Sequence, residues 1–227
     1  MACTARVLAA DRQWRHISEM RRWSILLAAL TISAASPAAP ERPLILAFGD
    51  SLTAGYGLDQ GLGFAPQLQA SLRRHGIAAT VADAGVSGDT SQAGRARLGW
   101  TIDGLPRKPD LVILELGAND MLRGLDPALT RANLDAILAD LDRRKLKVVL
   151  AGMRAAPNLD PAYVARFEAI YPDLAKRHRA TLYPFFLDGV AGQQGQIQTD
   201  GMHPTFAGVK RIVTAILPAI KNALAKP

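Results

Sequence analysis

A chain of 227 residues, 49% hydrophobic and 21% charged, can bury one substantial core and is too short for two typical domains with a linker. Its formal charge of +7 falls to +4 beyond residue 40, where 22 basic side chains face 18 acidic ones; that excess is too mild and too scattered to imply a nucleic-acid partner. The only cysteine, Cys3, lies in a segment expected to be removed, which leaves the mature chain without a disulfide, a cysteine metal site or a cysteine nucleophile.

In chain order, the first feature is a leader over residues 1–40. Arg21 and Arg22 precede an apolar run from Trp23 to Ala35 and a small-residue stretch, Ser36-Pro37-Ala38-Ala39-Pro40, the layout of a secretory signal peptide. Cleavage is expected near Ala35 or Ala38, and Met20 is an alternative start of translation. A membrane anchor or a buried N-terminal helix is the competing reading, but the thirteen residues of the run fall short of the roughly 20 a spanning helix needs. The mature protein is therefore expected to be periplasmic or secreted, without a stable membrane anchor, and residues 41–227 are expected to form one domain.

From Leu44 onward, short β-rich runs alternate with helical periodicity, which reads as an α/β fold with a five-stranded parallel sheet. The expected strands are Leu44 to Phe48, Ala79 to Ala82, Leu111 to Leu116, Val148 to Ala151 and Leu182 to Phe185. Near-continuous apolar runs such as Leu111-Val112-Ile113-Leu114 suit strands covered on both faces. Helices are expected after Asp126-Pro127, after Asp160-Pro161 and from Phe206 onward, with kinks or helix ends at Pro172 and Pro218.

Three motifs fall at functional positions in this pattern. Gly49-Asp50-Ser51-Leu52 follows the first strand and Gly117-Ala118-Asn119-Asp120 the third, at the carboxyl ends where open α/β sheets build their sites. Asp200-Gly201-Met202-His203-Pro204 precedes the last helix. Ser51 is the candidate nucleophile, since a serine hydroxyl needs a neighbouring base to take its proton. His203 is the candidate base: His16 is in the leader, and His75 and His178 sit among charges at predicted helix ends, as solvated residues do. Asp200, three residues before His203, can orient the imidazole. Candidate oxyanion donors are the Asn119 side-chain amide and the backbone N–H groups of Gly88 and Ser51. Pro157, Asn158 and Leu159, after the fourth strand, are candidates to line an acyl-binding cleft, with a surface loop as the plainer reading.

Together with Gly88 in Gly85-Val86-Ser87-Gly88-Asp89-Thr90, these blocks resemble the four blocks of the SGNH, or GDSL-type, hydrolases, and within them the bacterial periplasmic thioesterase I/arylesterase/lysophospholipase group. The resemblance covers Leu44 to the C-terminus. It implies a flavodoxin-like three-layer α/β/α sandwich, a Ser51–Asp200–His203 triad and an oxyanion hole of Ser51, Gly88 and Asn119, with no cofactor or metal. It further implies aryl and acyl esters, acyl thioesters or lysophospholipids as substrates. Ala118 departs from the pattern, standing where thioesterases of this group often carry a second glycine. Competing readings are a carbohydrate deacetylase or transferase on the same scaffold and a noncatalytic binding module. A nucleotide-binding domain is disfavoured, because no glycine-rich phosphate loop follows a strand.

Overall fold

The computed structural model describes residues 42–226; the leader, with its expected cleavage region, lies outside them. Five parallel strands form one sheet in the order β2-β1-β3-β4-β5. They are β1 (Leu44–Gly49), β2 (Thr80–Gly85), β3 (Leu111–Glu115), β4 (Lys147–Ala151) and β5 (Thr181–Tyr183). That is the flavodoxin-like strand order, which places a topological switch between β1 and β3. All residues of β1 and β3 are buried, as unbroken apolar runs covered by helices on both faces require. The edge strand β2 is half-buried, with Thr80 and Asp83 exposed.

Among the described residues, eight helices connect and flank the strands: α1 (Ser51–Ala54), α2 (Phe64–Arg74), α3 (Ser91–Asp103), α4 (Ala118–Leu122), α5 (Pro127–Arg143), α6 (Pro161–Glu168), α7 (Ile170–Arg177) and α8 (Phe206–Ala225). Helix α2 packs on α8, while α3 packs on α5 and α5 on α7, which gives the three layers. Local chemistry sets several helix starts. Asp126 and Asp160 each precede a proline in the first turn and accept backbone N–H bonds. Thr90 and Thr205 cap α3 and α8 in the same way, each cap contributing about 1 kcal/mol. Helix α2 has no side-chain cap, and α3, although Thr90 caps it, buries only Ser91, Gly94, Leu98 and Ile102, too sparse a stripe to read locally.

The strands differ from expectation at their ends. β2 begins one residue late and runs on to Gly85, paired with β1 along its whole length. β5 stops at Tyr183, because Pro184 has no N–H for the ladder. Pro172 lies in the first turn of α7, just past a break at Ala169, whereas Pro218 ends nothing and sits inside α8. Among the described residues no helix is long and apolar enough to cross a membrane.

Candidate active site

Ser51 stands where β1 passes into α1. Asp50 is the helix cap; its Oδ1 accepts from the Leu52 N–H at 3.0 Å. As the first helical residue, Ser51 has an N–H that the helix itself cannot use. The strand can turn this tightly because Gly49 has no side chain: a Cβ there would lie 2.1 Å from Thr53 Oγ1 and 2.5 Å from Glu115 Oε2.

Those two groups belong to a buried polar floor beneath the serine. Glu115, at the end of β3, accepts at Oε2 from Thr53 Oγ1 at 2.8 Å and from the Asp50 N–H at 3.3 Å. Asp50 and Glu115 are both fully buried. Burial raises the Asp50 carboxyl to about 6. Burial, with the neighbouring Asp50 charge, holds Glu115 well above the ordinary carboxylate range. Burial of both acids, and for Glu115 the charge of its neighbour, thus opposes ionisation of the pair together. Sequence reading did not single out Glu115, although an acid closing the apolar strand Leu-Val-Ile-Leu-Glu was a visible signal.

The loop before α8 delivers the imidazole. Asp200 Oδ1 accepts from the backbone N–H groups of Met202 at 2.9 Å and His203 at 3.0 Å, and its Oδ2 lies 2.6 Å from His203 Nδ1. The backbone bonds from His203 and Met202, then the imidazole contact, hold the Asp200 carboxyl down at about 2. A carboxylate so firmly ionised keeps the proton on Nδ1, leaving Nε2 to accept from Ser51 Oγ, 2.9 Å away. Tyr56 covers the imidazole, its ring centroid 4.5 Å distant. Gln198 ties this loop across the site, donating to Tyr56 O at 2.8 Å and Pro204 O at 2.9 Å. Nothing in the sequence marked Gln198, since both partners are backbone carbonyls.

On the other side, Gly117 turns the chain at φ +117°, where a Cβ would meet the Tyr171 hydroxyl at 2.3 Å. Gly117 thus makes the turn and Ala118 opens α4, lining the cleft. Asn119 follows, donating to Asp50 Oδ2 at 3.1 Å and to Asp89 O at 3.0 Å. Asp120 is buried and accepts from Ser91 N at 2.7 Å, Ser91 Oγ at 2.5 Å and Thr130 Oγ1 at 3.1 Å. Gly88, at φ +86°, sits in a loop pinned by Arg97, which reaches Asp89 Oδ2 at 2.6 Å and Gly49 O at 2.9 Å.

Ser51, His203, Gly88 and Asn119 all open onto one cleft of about 810 Å³, with Asp200 behind the imidazole. Pro157 also lines it; Asn158 and Leu159 do not. The chain leaves the cleft wall after Pro157 through a turn in which the Leu159 N–H bonds Ala156 O, and Leu159 packs on the core instead. The lining comes from residues earlier in that loop, Met153 to Ala156. His178 also departs from expectation. It is clamped at 2.6 Å from both Asp135 and Asp142 rather than solvated. Among the described residues, no group of three or more His, Cys, Asp or Glu is placed to hold a metal ion.

A serine–imidazole–carboxylate relay at the carboxyl ends of a flavodoxin-like sheet, at the switch between β1 and β3, defines a hydrolase of the three-layer α/β/α class. Residues 47–211 match the GDSL-like Lipase/Acylhydrolase family, and the chain belongs to that family as a carboxylic ester hydrolase. It is similar to AlinE4, an SGNH-hydrolase family esterase of known crystal structure, with 50% identity and a TM-score of 0.70 over 83% of this chain and 100% of that one. Esterase TesA of Pseudomonas aeruginosa is 39% identical over 79% of this chain and 89% of its own length. Thioesterase 1/protease 1/lysophospholipase L1 of Escherichia coli K12 is 36% identical over 81% and 85%.

Proposed function

We propose that the protein hydrolyses aryl and acyl esters, including lysophospholipids, and acyl thioesters, through an acyl-enzyme on Ser51. The observation that carries this reading is the relay from Ser51 Oγ to His203 Nε2 at 2.9 Å and from Nδ1 to Asp200 at 2.6 Å, open to an apolar cleft. Ser51 Oγ attacks the acyl carbonyl as His203 Nε2 takes its proton, and Asp200 stabilises the imidazolium. The carbonyl oxygen, now negative, is met by the N–H groups of Ser51 and Gly88 and by the Asn119 amide. His203 then protonates the leaving alcohol or thiol, and water, activated by the same imidazole, releases the acid.

Leu52, Met121, Leu122, Met153, Phe185 and Ile197 line the cleft, which supports an acyl chain as the group it holds and disfavours a glycan ester. The signal-peptide layout of residues 1–40 supports action in the periplasm or outside the cell, with residues 41–227 as one domain. There, esters and lysophospholipids are better natural substrates than cytoplasmic acyl-CoA. The test is hydrolysis of p-nitrophenyl esters from acetate to palmitate by the wild type and by Ser51→Ala and His203→Ala. Turnover lost in both variants supports the serine mechanism, whereas a fully active Ser51→Ala protein would overturn it.

A further inference from the structure

Among the described residues, apart from His203 and the Tyr56 phenol, the only ionisable side chains lining this largely apolar cleft are Arg154 and Glu168. Among the described residues neither makes a hydrogen bond or ion pair, with each other or with any third group. The other guanidinium groups near Ser51 are committed: Arg97 to Asp89 and Gly49 O, Arg123 to Gly88 O at 2.7 Å. Arg154 is different. Its guanidinium lies over the Phe185 ring, 5.3 Å from the centroid, a contact that places the group without using any of its five N–H donors.

The backbone keeps it there. Met153 and Ala155 on either side are buried, and Met153 to Pro157 all line the cleft, so the stem of Arg154 rises from the cleft wall. Glu168, on α6, supplies an opposite charge without touching it.

We propose that Arg154 is an anion-binding subsite of this cleft, and that the esters it favours carry a phosphate or carboxylate, held by the guanidinium fork through two parallel N–H···O bonds. This rests on the esterase reading above. Phosphate and carboxylate share that chemistry but enter on different parts of a substrate, a phosphate on the leaving alcohol and a carboxylate at the end of the acyl chain.

The test uses two matched pairs. p-Nitrophenyl hexanoate against mono-p-nitrophenyl adipate places the anion on the acyl part, and hexanoylglycerol against hexanoylglycerol phosphate places it on the leaving group. The readout is the ratio of kcat/KM, anionic over neutral, within each pair. Arg154→Gln is expected to lower that ratio about ten- to hundredfold in one pair, the range for a hydrogen bond to a charged group. Arg154→Lys is expected to lose less, since it keeps the charge but not the fork. The pair affected identifies the source of the anion. Ratios equal in wild type and Arg154→Gln for both pairs overturn the subsite, while turnover of p-nitrophenyl hexanoate leaves the esterase reading standing. A wild type inactive on all four esters, and unlabelled by a fluorophosphonate probe, overturns both.

Discussion

Asn119 donates its side-chain amide to the buried carboxylate of Asp50, 3.1 Å away, so the residue proposed to meet the oxyanion is aligned by the residue that caps the nucleophile's helix. The second amide proton is held by Asp89 O at 3.0 Å. Both protons are engaged before substrate arrives, which fixes the amide plane but requires a forming oxyanion to share one of them.

Removing the donor and removing its tether should therefore differ. Asn119→Ala is expected to lower kcat by about 10²- to 10³-fold, the cost of one oxyanion donor, with a much smaller change in KM. Asp50→Asn leaves Asn119 in place but removes the charge that aligns it, and should reduce kcat by less. Steady-state kinetics on one p-nitrophenyl ester, with fluorophosphonate labelling to show that Ser51 is still presented, checks both.

Asp50 also makes stability depend on pH. Its carboxyl is raised by burial from the ordinary 3.8 to about 6, so across that window the folded protein holds a proton that the unfolded chain has released. The unfolded state then binds fewer protons, and stability falls as pH rises through the window. Urea unfolding at several pH values between about 4 and about 6 should show a larger loss in wild type than in Asp50→Asn, which cannot titrate at this position.

Glu115 can be separated into its hydrogen-bonding and charge roles. Glu115→Gln keeps an acceptor for Thr53 and for the Asp50 N–H, and is expected to stay within about 1 kcal/mol of wild type. Glu115→Ala leaves a cavity and strands both donors, with an expected cost of about 2–4 kcal/mol. Chemical denaturation of the two variants measures the difference.

His178 joins the end of α7 to α5. Burial opposes its charge, but the hydrogen bonds to Asp135 and Asp142 outweigh that, and its pKa is raised. A raised imidazole pKa gives stability that is complete below the unfolded value of 6.5 and is lost as pH rises through the folded value. Wild type is therefore expected to lose thermal stability above pH 6.5 more steeply than His178→Gln. Differential scanning calorimetry across that range tests the ion pairs.

By itself the sequence determined what local chemistry can determine. Period and composition marked five strands because buried parallel strands are apolar along most of their length, as Leu44–Gly49 is and as Leu111–Glu115 is up to its last residue. Asp-Pro pairs marked two helix starts, and scarcity of histidine narrowed the base to His203. Tertiary structure decided everything that depends on side chains meeting across the chain. Glu115 reaches the Asp50 N–H over 65 positions, and Gln198 reaches Tyr56 over 142; neither contact leaves a local pattern, because only the strand crossings bring the partners together. The cleft wall was likewise decided in three dimensions: after Pro157 a turn carries Leu159 away from the cleft to pack, half-buried, against the core. Arg154, a residue no motif contains, faces the cleft on the ring of Phe185, because β4 and β5 lie side by side in the sheet.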